Sequence, residues 1–302
     1  MQKKLLVVGS MNVDMVVKAP RIPSPGETIL GGVFSRFFGG KGANQAMAAK
    51  TLFADTLFSS MCGKDSIGDD YLNYLKSKGM DTSLVKRHDS LHSGVALITV
   101  DDGGENIITV AAGANLALSP SDMDDIDFSQ FSHAAFQLET EIPTVMEGLK
   151  RAKEASCQTI LTPAPAQKLP EEIFPLLDFI VPNQHEILLI QDGYNDAESA
   201  AKALLDKGVK NVIITLGSKG SALFNADGRY DFGTFHTPRV DTVGAGDCFT
   251  GSLMAGLALF NGDIKKAITF STAAASIAVS KPGAQNFGTF DEVLALSGLN
   301  KQ

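Results

Sequence analysis

Short apolar runs alternate with amphipathic stretches along most of the chain, and this alternation restricts the possible folds more than any other feature. The apolar runs predict buried strands at KLLVVG, TLFSSMCG, HAAFQLE, QTILTPA, DFIVPN and NVIITLG. The stretches between them predict helices at GANQAMAAKTLF, IGDDYLNYLKSKG, PTVMEGLKRAKEA and DAESAAKALLDKG. Such alternation is typical of a parallel sheet covered by helices on both faces. We therefore expect a doubly wound, mostly parallel α/β sandwich, with residues 1–302 forming a single domain.

Two segments interrupt the alternation, at residues 13–38 and residues 92–113. Both predict short antiparallel strands, and the tetrad DDGG within the second is typical of a hairpin turn. We expect the two segments to meet in space and form a small second sheet that projects from the main domain. A sheet with one open side can close over a ligand as a lid, or pair with a second subunit.

Composition excludes several classes of partner. The chain of 302 residues carries a net charge of −8 at pH 7, which argues against a nucleic-acid partner. It has no uncharged run of 18 apolar residues, so no membrane span is expected. Three widely spaced cysteines indicate neither a disulfide framework nor a metal site. Because the first apolar run is also too short for a signal peptide, we expect a soluble, cytoplasmic protein.

The stretch DTVGAGDCFTG, at residues 241–251, is the first candidate for chemistry. A glycine-rich turn that enters a helix presents unpaired N–H groups and the positive end of the helix dipole, which suit negative charge on a transferred phosphoryl group. Asp247 would lie in the first helical turn, ionised and able to take a proton from an attacking hydroxyl. The alternative is an acid that only stabilises its helix.

A second glycine turn, FFGGKGANQAMAAK at residues 37–50, lacks the Ser or Thr that a phosphate-binding P-loop requires after its lysine. It predicts a helix that starts near Ala43, with Lys41 and Asn44 at its mouth. An ammonium and an amide there could hold sugar hydroxyls. The alternative is a plain turn with a solvated lysine and an N-capping amide.

Polar residues also follow two of the predicted strands. Asn12 and Asp14, in GSMNVD, alternate on one face and could grip vicinal hydroxyls in the crevice at the strand ends. The dinucleotide-binding GxGxxG pattern is absent there, which argues against hydride transfer. In VPNQHE, Asn183 and Glu186 could orient Mg²⁺ waters and phosphate, or could simply cap a helix.

On these motifs the chain resembles the ribokinase family of ATP-dependent sugar kinases, the PfkB carbohydrate kinases, from about residue 3 to residue 295. Both family signatures are present, GGKGANQAMAA at 39–49 and DTVGAGDCFTGSL at 241–253. GSMNVDMVV, PSPGETI and GGKGANQA most resemble the ribose-specific members rather than the fructose, adenosine or phosphosugar kinases. Phe38 departs from the proline usual before the Gly-Gly pair, a change that we expect the fold to tolerate.

The resemblance implies transfer of the ATP γ-phosphoryl group to O5 of D-ribose, giving D-ribose 5-phosphate and ADP. It implies that Asp247 is the catalytic base and that the turn of Gly244, Ala245 and Gly246 forms an anion hole. The ribose contacts that it implies are Asn12, Asp14, Gly40, Lys41, Asn44 and Glu139. Glu141 replaces Glu139 if the preceding strand ends two residues later.

The resemblance also implies sites for ATP, Mg²⁺ and an activating K⁺. The nucleotide would contact Asn183, Thr215, Gly217, Ser218 and Gly220, and Glu186 would hold Mg²⁺ through water. The K⁺ ligands that it implies are the Asp241 side chain and the carbonyls of Val243, Ala278 and Gly283. Phe287 stands where the family often has a hydroxyl ligand, so one K⁺ ligand is in question.

Two alternatives to ribose phosphorylation remain from the sequence. One is the same chemistry on another sugar, such as 2-deoxyribose or fructose, because few pocket residues distinguish a single hydroxyl. The other is a sugar- or nucleotide-binding regulator that has lost turnover, against which the intact Asp247, anion turn and Lys41 argue. Pairing of the lid sheets further implies a homodimer.

Overall fold

The computed structural model describes residues 4–53 and 55–300, so the expected domain limits at residues 1 and 302 lie outside the described part. Its strands are β1 (Lys4–Val8), β2 (Asn12–Lys18), β3 (Val33–Gly39), β4 (Thr56–Gly63), β5 (Val85–His88), β6 (Gly94–Val100), β7 (Asn106–Ala111), β8 (Phe131–Phe136), β9 (Gln158–Leu161), β10 (Phe179–Ile180), β11 (Asn211–Thr215), β12 (Ser221–Asn225) and β13 (Gly228–Phe232). Its α-helices are α1 (Lys41–Leu52), α2 (Ser66–Ser77), α3 (Ile142–Glu154), α4 (Gln184–Ile190), α5 (Ala197–Asp206), α6 (Ala245–Leu259), α7 (Ile264–Ala278) and α8 (Phe290–Ser297).

A nine-stranded sheet, in the order β13-β12-β11-β10-β9-β8-β1-β4-β5, forms the centre of the molecule. The strands from β11 to β5 run parallel, and β12 and β13 are added antiparallel at one edge. All six predicted strands lie in this sheet, and the four predicted helices are α1, α2, α3 and α5. The predicted α/β class is therefore confirmed.

Helices cover both faces of the large sheet. On β1 the side chains of Leu5 and Val7 pack toward α1, α2, α6, α7 and α8, and those of Leu6 and Val8 pack toward α3, α4 and α5. Because a strand that is buried on both faces has no polar side, β1 shows the continuous apolar run from which it was predicted. Among the helices of the described residues, none is long and apolar enough to cross a membrane.

The small sheet has the strand order β3-β2-β6-β7 and is formed by the two segments that interrupt the alternation. The β2–β3 and β6–β7 pairs are antiparallel as predicted, and Asp101 and Gly104 close the β6–β7 turn. The two hairpins, however, join through parallel pairing of β2 with β6, which corrects the expectation of antiparallel strands throughout. The role of this sheet as a lid stays a prediction.

The order of the large sheet reverses at β1, which lies between β4 and β8. Ligands of such sheets bind outside the carboxyl ends of the strands at this switch point. Asn12 follows β1 after a short turn and Glu139 follows β8, so both lie at this position. The fold therefore brings two of the predicted sugar contacts to one end of the sheet.

Close packing of α1 on α6 joins the two signature segments. A Cβ atom added at Gly251 would lie 2.3 Å from the main-chain oxygen of Gln45 and 2.9 Å from Cβ of Ala48. Any larger residue would push the helices apart, since Cβ contacts under 3.0 Å are essentially never observed. The small residues of both segments therefore let the first turns of α1 and α6 meet.

Candidate active site

The catalytic candidate Asp247 lies in the first turn of α6. Gly244 precedes this helix in the left-handed conformation, with φ 75°, which lets the chain turn sharply into it. The first N–H groups of a helix have no partner in a preceding turn, so this end presents donors. Among the residues that the structure describes, only the main-chain N–H of Ala245 has a partner there, a long 3.3 Å bond to the Thr242 oxygen.

Asp247 is buried, and its carboxylate contacts α1 rather than its own helix. Asn44 Nδ2 donates to Oδ2 over 3.0 Å, and Gln45 Nε2 donates to Oδ1 over 3.2 Å. Burial raises the pKa of Asp247 above its usual range, and the charge of Lys41 and the two amides oppose that rise. Asp247 therefore does not cap its helix, and a base with a raised pKa is better matched to proton transfer near neutral pH.

The structure corrects the local interpretation of α1. This helix begins at Lys41 rather than near Ala43, and its N-cap residue is Gly40, with φ 88°. Asn44 donates to Asp247, so it is not an N-capping amide. Lys41 is half-buried rather than solvated; burial lowers its pKa, but the charges of Asp247, Glu139 and Glu186 outweigh this and raise it.

Glu139, rather than Glu141, lies in the site. Glu139 Oε2 accepts hydrogen bonds from the main-chain N–H of Lys41, at 2.9 Å, and from Ser10 Oγ. Glu141 is exposed at the N-cap of α3, so the alternative with a later strand end is wrong. The contact with Lys41 places the Glu139 carboxylate at the N-terminus of α1, where the helix dipole stabilises negative charge.

A cavity of about 220 Å³ lies between the large and small sheets and is lined by Asn12, Val110, Ala112, Asn115, Leu116, Leu138, Glu139 and Pro165. Polar groups on an otherwise apolar wall suit a small, hydroxylated ligand. Asp14 lies two residues after Asn12 on β2. Burial, and then the charge of Glu139, raise the pKa of Asp14 to about 6.

A second cavity of about 200 Å³ is bordered by Lys41 and Asp247, neither of which lines the first cavity. Its lining residues are Lys41, Thr162, Ala164, Val181, Asn183, Glu186, Thr215, Thr242, Gly244, Ala245, Gly246 and Asp247. The predicted anion turn, the base, the lysine and three of the predicted nucleotide or metal contacts therefore surround one space. We call this the phosphate-side cavity and the first one the sugar-side cavity.

Asn183 and Glu186 form a reciprocal cap on α4. Asn183 Oδ1 accepts from the main-chain N–H groups of His185 and Glu186, and Glu186 Oε2 accepts from the N–H of Asn183. The capping alternative is therefore correct as geometry, although both residues also line the phosphate-side cavity. Burial raises the pKa of Glu186.

The other predicted nucleotide contacts lie beyond this cavity. Thr215 ends β11 and lines the cavity, whereas Gly217, Ser218 and Gly220 lie in the short 3₁₀ turn that leads to β12 and are not among the lining residues. Gly217 and Ser218 are exposed to solvent. The structure thus places these three residues just after Thr215 and outside the phosphate-side cavity.

The candidate K⁺ ligands surround the entry to the anion turn. Asp241 Oδ1 accepts from the N–H of Val243, and Oδ2 accepts from the N–H of Gly283, each over 2.9 Å. Ala278 ends α7 shortly before Gly283. Phe287 offers only its main-chain oxygen, which accepts from Lys281 Nζ over 3.3 Å. A carboxylate and carbonyls are hard oxygen donors of the kind that such a cation prefers.

Several polar residues of the site were missed from the sequence, among them Ser10, Gln45 and Asn115. Ser10 joins Glu139 to the start of α1, Gln45 donates to Asp247, and Asn115 donates to Asn12 Oδ1 over 2.7 Å. Gln45 follows Asn44 inside the first signature, which is a signal that could have been used. Asn115 lies in a 3₁₀ turn, with no local pattern to connect it to Asn12.

The mostly parallel sheet with its small second sheet, and two helix N-termini that meet at one buried acid beside the phosphate-side cavity, define a carbohydrate kinase. The pfkB family carbohydrate kinase model matches residues 2–289. The chain belongs to this family.

Curated relatives of similar sequence include two kinds of pentose kinase. A ribokinase of Haemophilus influenzae is 38% identical, over 95% of this chain and 95% of that protein. A bifunctional ribokinase/ribose-5-phosphate isomerase A of Fructilactobacillus sanfranciscensis is 39% identical over 94% of this chain, which spans only 54% of that protein. A deoxyribokinase of Salmonella typhi is 34% identical over 97% of this chain and 99% of that protein.

Solved structures agree with the fold over nearly the whole chain. The ribokinase of Thermotoga maritima superposes with a TM-score of 0.90 at 36% identity, covering 98% of this chain and 100% of that one. The Arabidopsis thaliana ribokinase complexed with ribose and ATP superposes with a TM-score of 0.91 at 28% identity, covering 99% and 100%.

Proposed function

We propose that this chain phosphorylates D-ribose at O5 with ATP, giving D-ribose 5-phosphate and ADP. The observation that carries the proposal is the 3.0 Å hydrogen bond between Asn44 and Asp247, which are 203 residues apart in sequence. It joins the sugar-binding signature to the phosphoryl-transfer signature at the wall of the phosphate-side cavity. Relatives named as ribokinases, one of them complexed with ribose and ATP, support ribose as the acceptor.

Asp247 is the proposed general base. Its carboxylate accepts the proton of the sugar hydroxyl while the oxygen attacks the γ-phosphorus, and the bond to the β-phosphate oxygen breaks. The N-terminus of α6, with Gly244, Ala245 and Gly246, faces the negative charge that the moving phosphoryl group carries. The Lys41 ammonium, half-buried between three carboxylates, supplies a positive charge at the same cavity.

The remaining hydroxyls of the sugar are assigned to the sugar-side cavity, which Asn12 and Glu139 line, and to Asp14, Gly40 and Asn44, which do not line it. Asp14 and Glu139 are acceptors, whereas Asn12 and Asn44 are amides; Gly40 brings main-chain groups close to the sugar. Vicinal hydroxyls that each donate and accept match a mixed set of this kind. A sugar that lacks one hydroxyl would leave a group such as Asp14 without its partner.

The nucleotide is assigned to the phosphate-side cavity and to the 3₁₀ turn that follows Thr215. Thr215, Gly217, Ser218 and Gly220 follow β11 and would contact ATP, with its phosphates toward Asn183. Carboxylates and water are the ligands that Mg²⁺ prefers, so Glu186 would hold this ion through water. When bound, Mg²⁺ would offset phosphate charge; the protein contributes the orientation of Glu186, which its cap on α4 fixes.

A monovalent cation, K⁺, is assigned to Asp241 and the carbonyls of Val243, Ala278 and Gly283. Asp241 already fixes both the anion turn and the segment around Gly283, so a cation here would stiffen the turn without taking part in the reaction. Phe287 supplies no side-chain oxygen, so this chain would bind the cation with one ligand fewer than members that have a hydroxyl there.

The small sheet is also assigned a role in dimer formation. Phe37 and Val110 lie in one cross-strand row with Asp14 and Ala96, and Phe37 and Val110 are 46% and 49% exposed. Exposed apolar side chains on a sheet of this size are typical of a protein interface. We therefore propose a homodimer in which two small sheets pair, each above its own sugar-side cavity.

A second candidate acceptor is 2-deoxyribose, which the 34% identity to a deoxyribokinase favours. The decisive experiment measures ADP release with ribose, 2-deoxyribose, fructose and adenosine, each with K⁺ and with Na⁺. Ribose should give the highest kcat/KM, and the product should carry phosphate on O5. Faster turnover of another sugar would replace ribose in the proposal, and binding of sugar and ATP without turnover would indicate a regulator.

A further inference from the structure

Two hydrogen-bonded chains of amides lead outward from Asp247. Asn44 and Gln45, the inner amides, each donate to one oxygen of the carboxylate. Gln285 Nε2 donates to Asn44 Oδ1 over 2.9 Å, and Gln137 Nε2 donates to Gln45 Oε1 over 2.7 Å. Gln137 and Gln285, the outer glutamines, therefore occupy equivalent places on the two sides of the carboxylate, although they are far apart in sequence.

The direction of both chains is set at Asp247. An ionised carboxylate only accepts hydrogen bonds, so each inner amide must turn its NH₂ group toward it. Each inner oxygen then points away and needs a donor. A flipped inner amide would place its oxygen against a carboxylate oxygen, where two acceptors repel each other.

A second fixed point confirms the direction of the Gln285 chain. Tyr71 Oη donates to the main-chain oxygen of Gly39 over 2.6 Å, and that oxygen cannot donate in return. The phenolic oxygen must then accept, and it accepts from Gln285 Nε2 over 3.1 Å. The Gly39 carbonyl and the Asp247 carboxylate therefore both require the NH₂ group of Gln285 to face Asn44 and Tyr71.

The outer ends of the two chains differ from ordinary core amides. Gln137 Oε1 and Gln285 Oε1 are both buried, and neither has a hydrogen-bond partner among residues 4–53 and 55–300. A buried acceptor without a protein partner is uncommon and unfavourable. Packing alone therefore does not explain two glutamines at these positions, whereas a requirement for their NH₂ groups does.

We propose that Gln137 and Gln285 are positioning residues, which hold the inner amides so that Asp247 always faces two N–H donors. This inference depends on the proposed role of Asp247 as general base and adds to it. Without an outer glutamine, the inner amide is free to rotate, and in part of the molecules it presents its oxygen to the base. The charged groups that act on Asp247 are Lys41, Glu139 and Glu186, and the outer glutamines leave all three in place.

Gln285 gives the sharpest test because it is only half-buried and lies in a loop. Gln285→Glu keeps the size but replaces the donor by a second acceptor, so two carboxylates compete for the NH₂ group of Asn44 and it faces Asp247 in only part of the molecules. We expect kcat to fall by about 10-fold or more, as part of the roughly 10²–10⁴ that a general base contributes. The acid limb of the pH–rate profile should move to higher pH, because the carboxylate loses an N–H donor that favours its charged form.

Two variants complete the set. Gln285→Met and Gln137→Met remove the donor without adding charge and should give smaller losses of kcat and smaller shifts of the acid limb, with KM for ATP unchanged. The control is Gln191→Met, because Gln191 is buried and its side-chain NH₂ group donates to the main-chain oxygen of Ile190 at the end of α4. It should lower the unfolding temperature without changing kcat or the pH profile.

A purely structural role predicts a different result for the outer glutamines. If folded Gln285→Glu kept the wild-type kcat and acid limb, or if all three variants behaved like Gln191→Met, the inference would be wrong. The profiles are measured with whichever sugar the wild-type chain phosphorylates fastest, so an error about ribose does not affect this test. If the wild-type chain phosphorylates no sugar, the proposed function is wrong and kcat cannot serve as the readout. The positioning role is then tested by ¹⁵N spectra, in which the side-chain NH₂ signals of Asn44 must shift in Gln285→Met and stay unchanged in Gln191→Met.

Discussion

Asn115 fixes the orientation of Asn12. The main-chain N–H of Met11 donates to Asn115 Oδ1 over 2.9 Å, so the other end of the Asn115 side chain must be its NH₂ group. This group donates to Asn12 Oδ1, which leaves Nδ2 as the end of Asn12 that can donate to a sugar hydroxyl. Asn115, a residue outside both signatures, thus determines which end of the Asn12 amide faces a bound sugar.

Asn115→Asp should therefore weaken sugar binding. The new carboxylate requires the NH₂ group of Asn12, whose oxygen then faces the sugar in place of a donor. We expect KM for ribose to rise by about 10-fold or more, from the roughly 1–3 kcal/mol that an unpaired buried group costs. KM for ATP should stay unchanged. Asn225→Asp, in an equivalent Asn–Asn pair far along the chain, is the matched control, and an equal effect there would contradict the prediction.

Asp247→Asn should abolish most turnover while sugar binding persists. The amide cannot accept the hydroxyl proton, so kcat is expected to fall by about 10²–10⁴. Ribose affinity, measured by calorimetry, should change little because the size of the side chain is kept. Near-normal kcat would remove Asp247 from its role, whereas the exposed Asp231→Asn should be indistinguishable from the wild type.

The raised pKa of Asp14 predicts that sugar binding depends on pH. Its pKa in the folded chain is about 6, so the carboxyl group becomes protonated as the pH falls through 6 and loses the negative charge that strengthens its hydrogen bond with a sugar hydroxyl. KM for ribose should therefore rise as the pH falls from 7 to 5. In Asp14→Asn, KM should be high and independent of pH across this range. A wild-type KM that stays flat would contradict the assignment.

The same shift predicts how Asp14 affects stability. A folded pKa above the unfolded value means that the folded chain binds the proton more tightly, so charging Asp14 costs stability as the pH rises through about 6. Asp14→Asn should raise Tm at pH 8, by about 2 °C for a cost on the order of 1 kcal/mol. The gain should vanish near pH 4, where the wild-type carboxyl group is protonated in the folded chain. A gain that is equal at both pH values would point to packing instead.

Phe287→Ser should lower the K⁺ concentration that activates the enzyme. The substitution adds a hydroxyl oxygen beside the proposed ligands, so the K⁺ concentration for half-maximal activity should fall several-fold, by analogy with the effect of ligand number on other cation sites. Some loss of Tm is expected because Phe287 packs against the core. Phe287→Ala, which has the same packing loss and no oxygen, is the control. Equal K⁺ dependence in the two variants would exclude a cation site at this position.

Ile108→Lys should dissociate the proposed homodimer. Ile108 lies on β7 and is 54% exposed, so a lysine there is compatible with the folded chain but not with a buried interface. Light scattering after size exclusion should give a dimer for the wild type and a monomer for the variant. An exposed site on α5, Lys202→Glu, serves as the control. A wild-type monomer at all concentrations would exclude the interface.

The sequence predicted the large sheet well because its strands are buried on both faces and appear as local apolar runs. It could not predict the parallel pairing of β2 with β6, since strands so far apart leave no periodic signal. Among the site residues, Lys41 and Asp247 stand in recognisable turns. Asn115, Gln137 and Gln285 were not found, because their importance depends on which end of an amide faces a neighbour. Glu139 and Glu141 could be distinguished only once the end of β8 was known.

Asn12 is the first residue of β2 and Asp14 the third, so two of the proposed sugar ligands belong to the small sheet itself. Any swing of this sheet away from the large one would carry these ligands with it. Opening of the small sheet and dissociation of the sugar would then be one event. The lifetime of the bound sugar would equal the lifetime of the closed position of the sheet. Mutations that stiffen the root of β2 should accordingly slow release of the phosphorylated product as much as they tighten binding of the sugar.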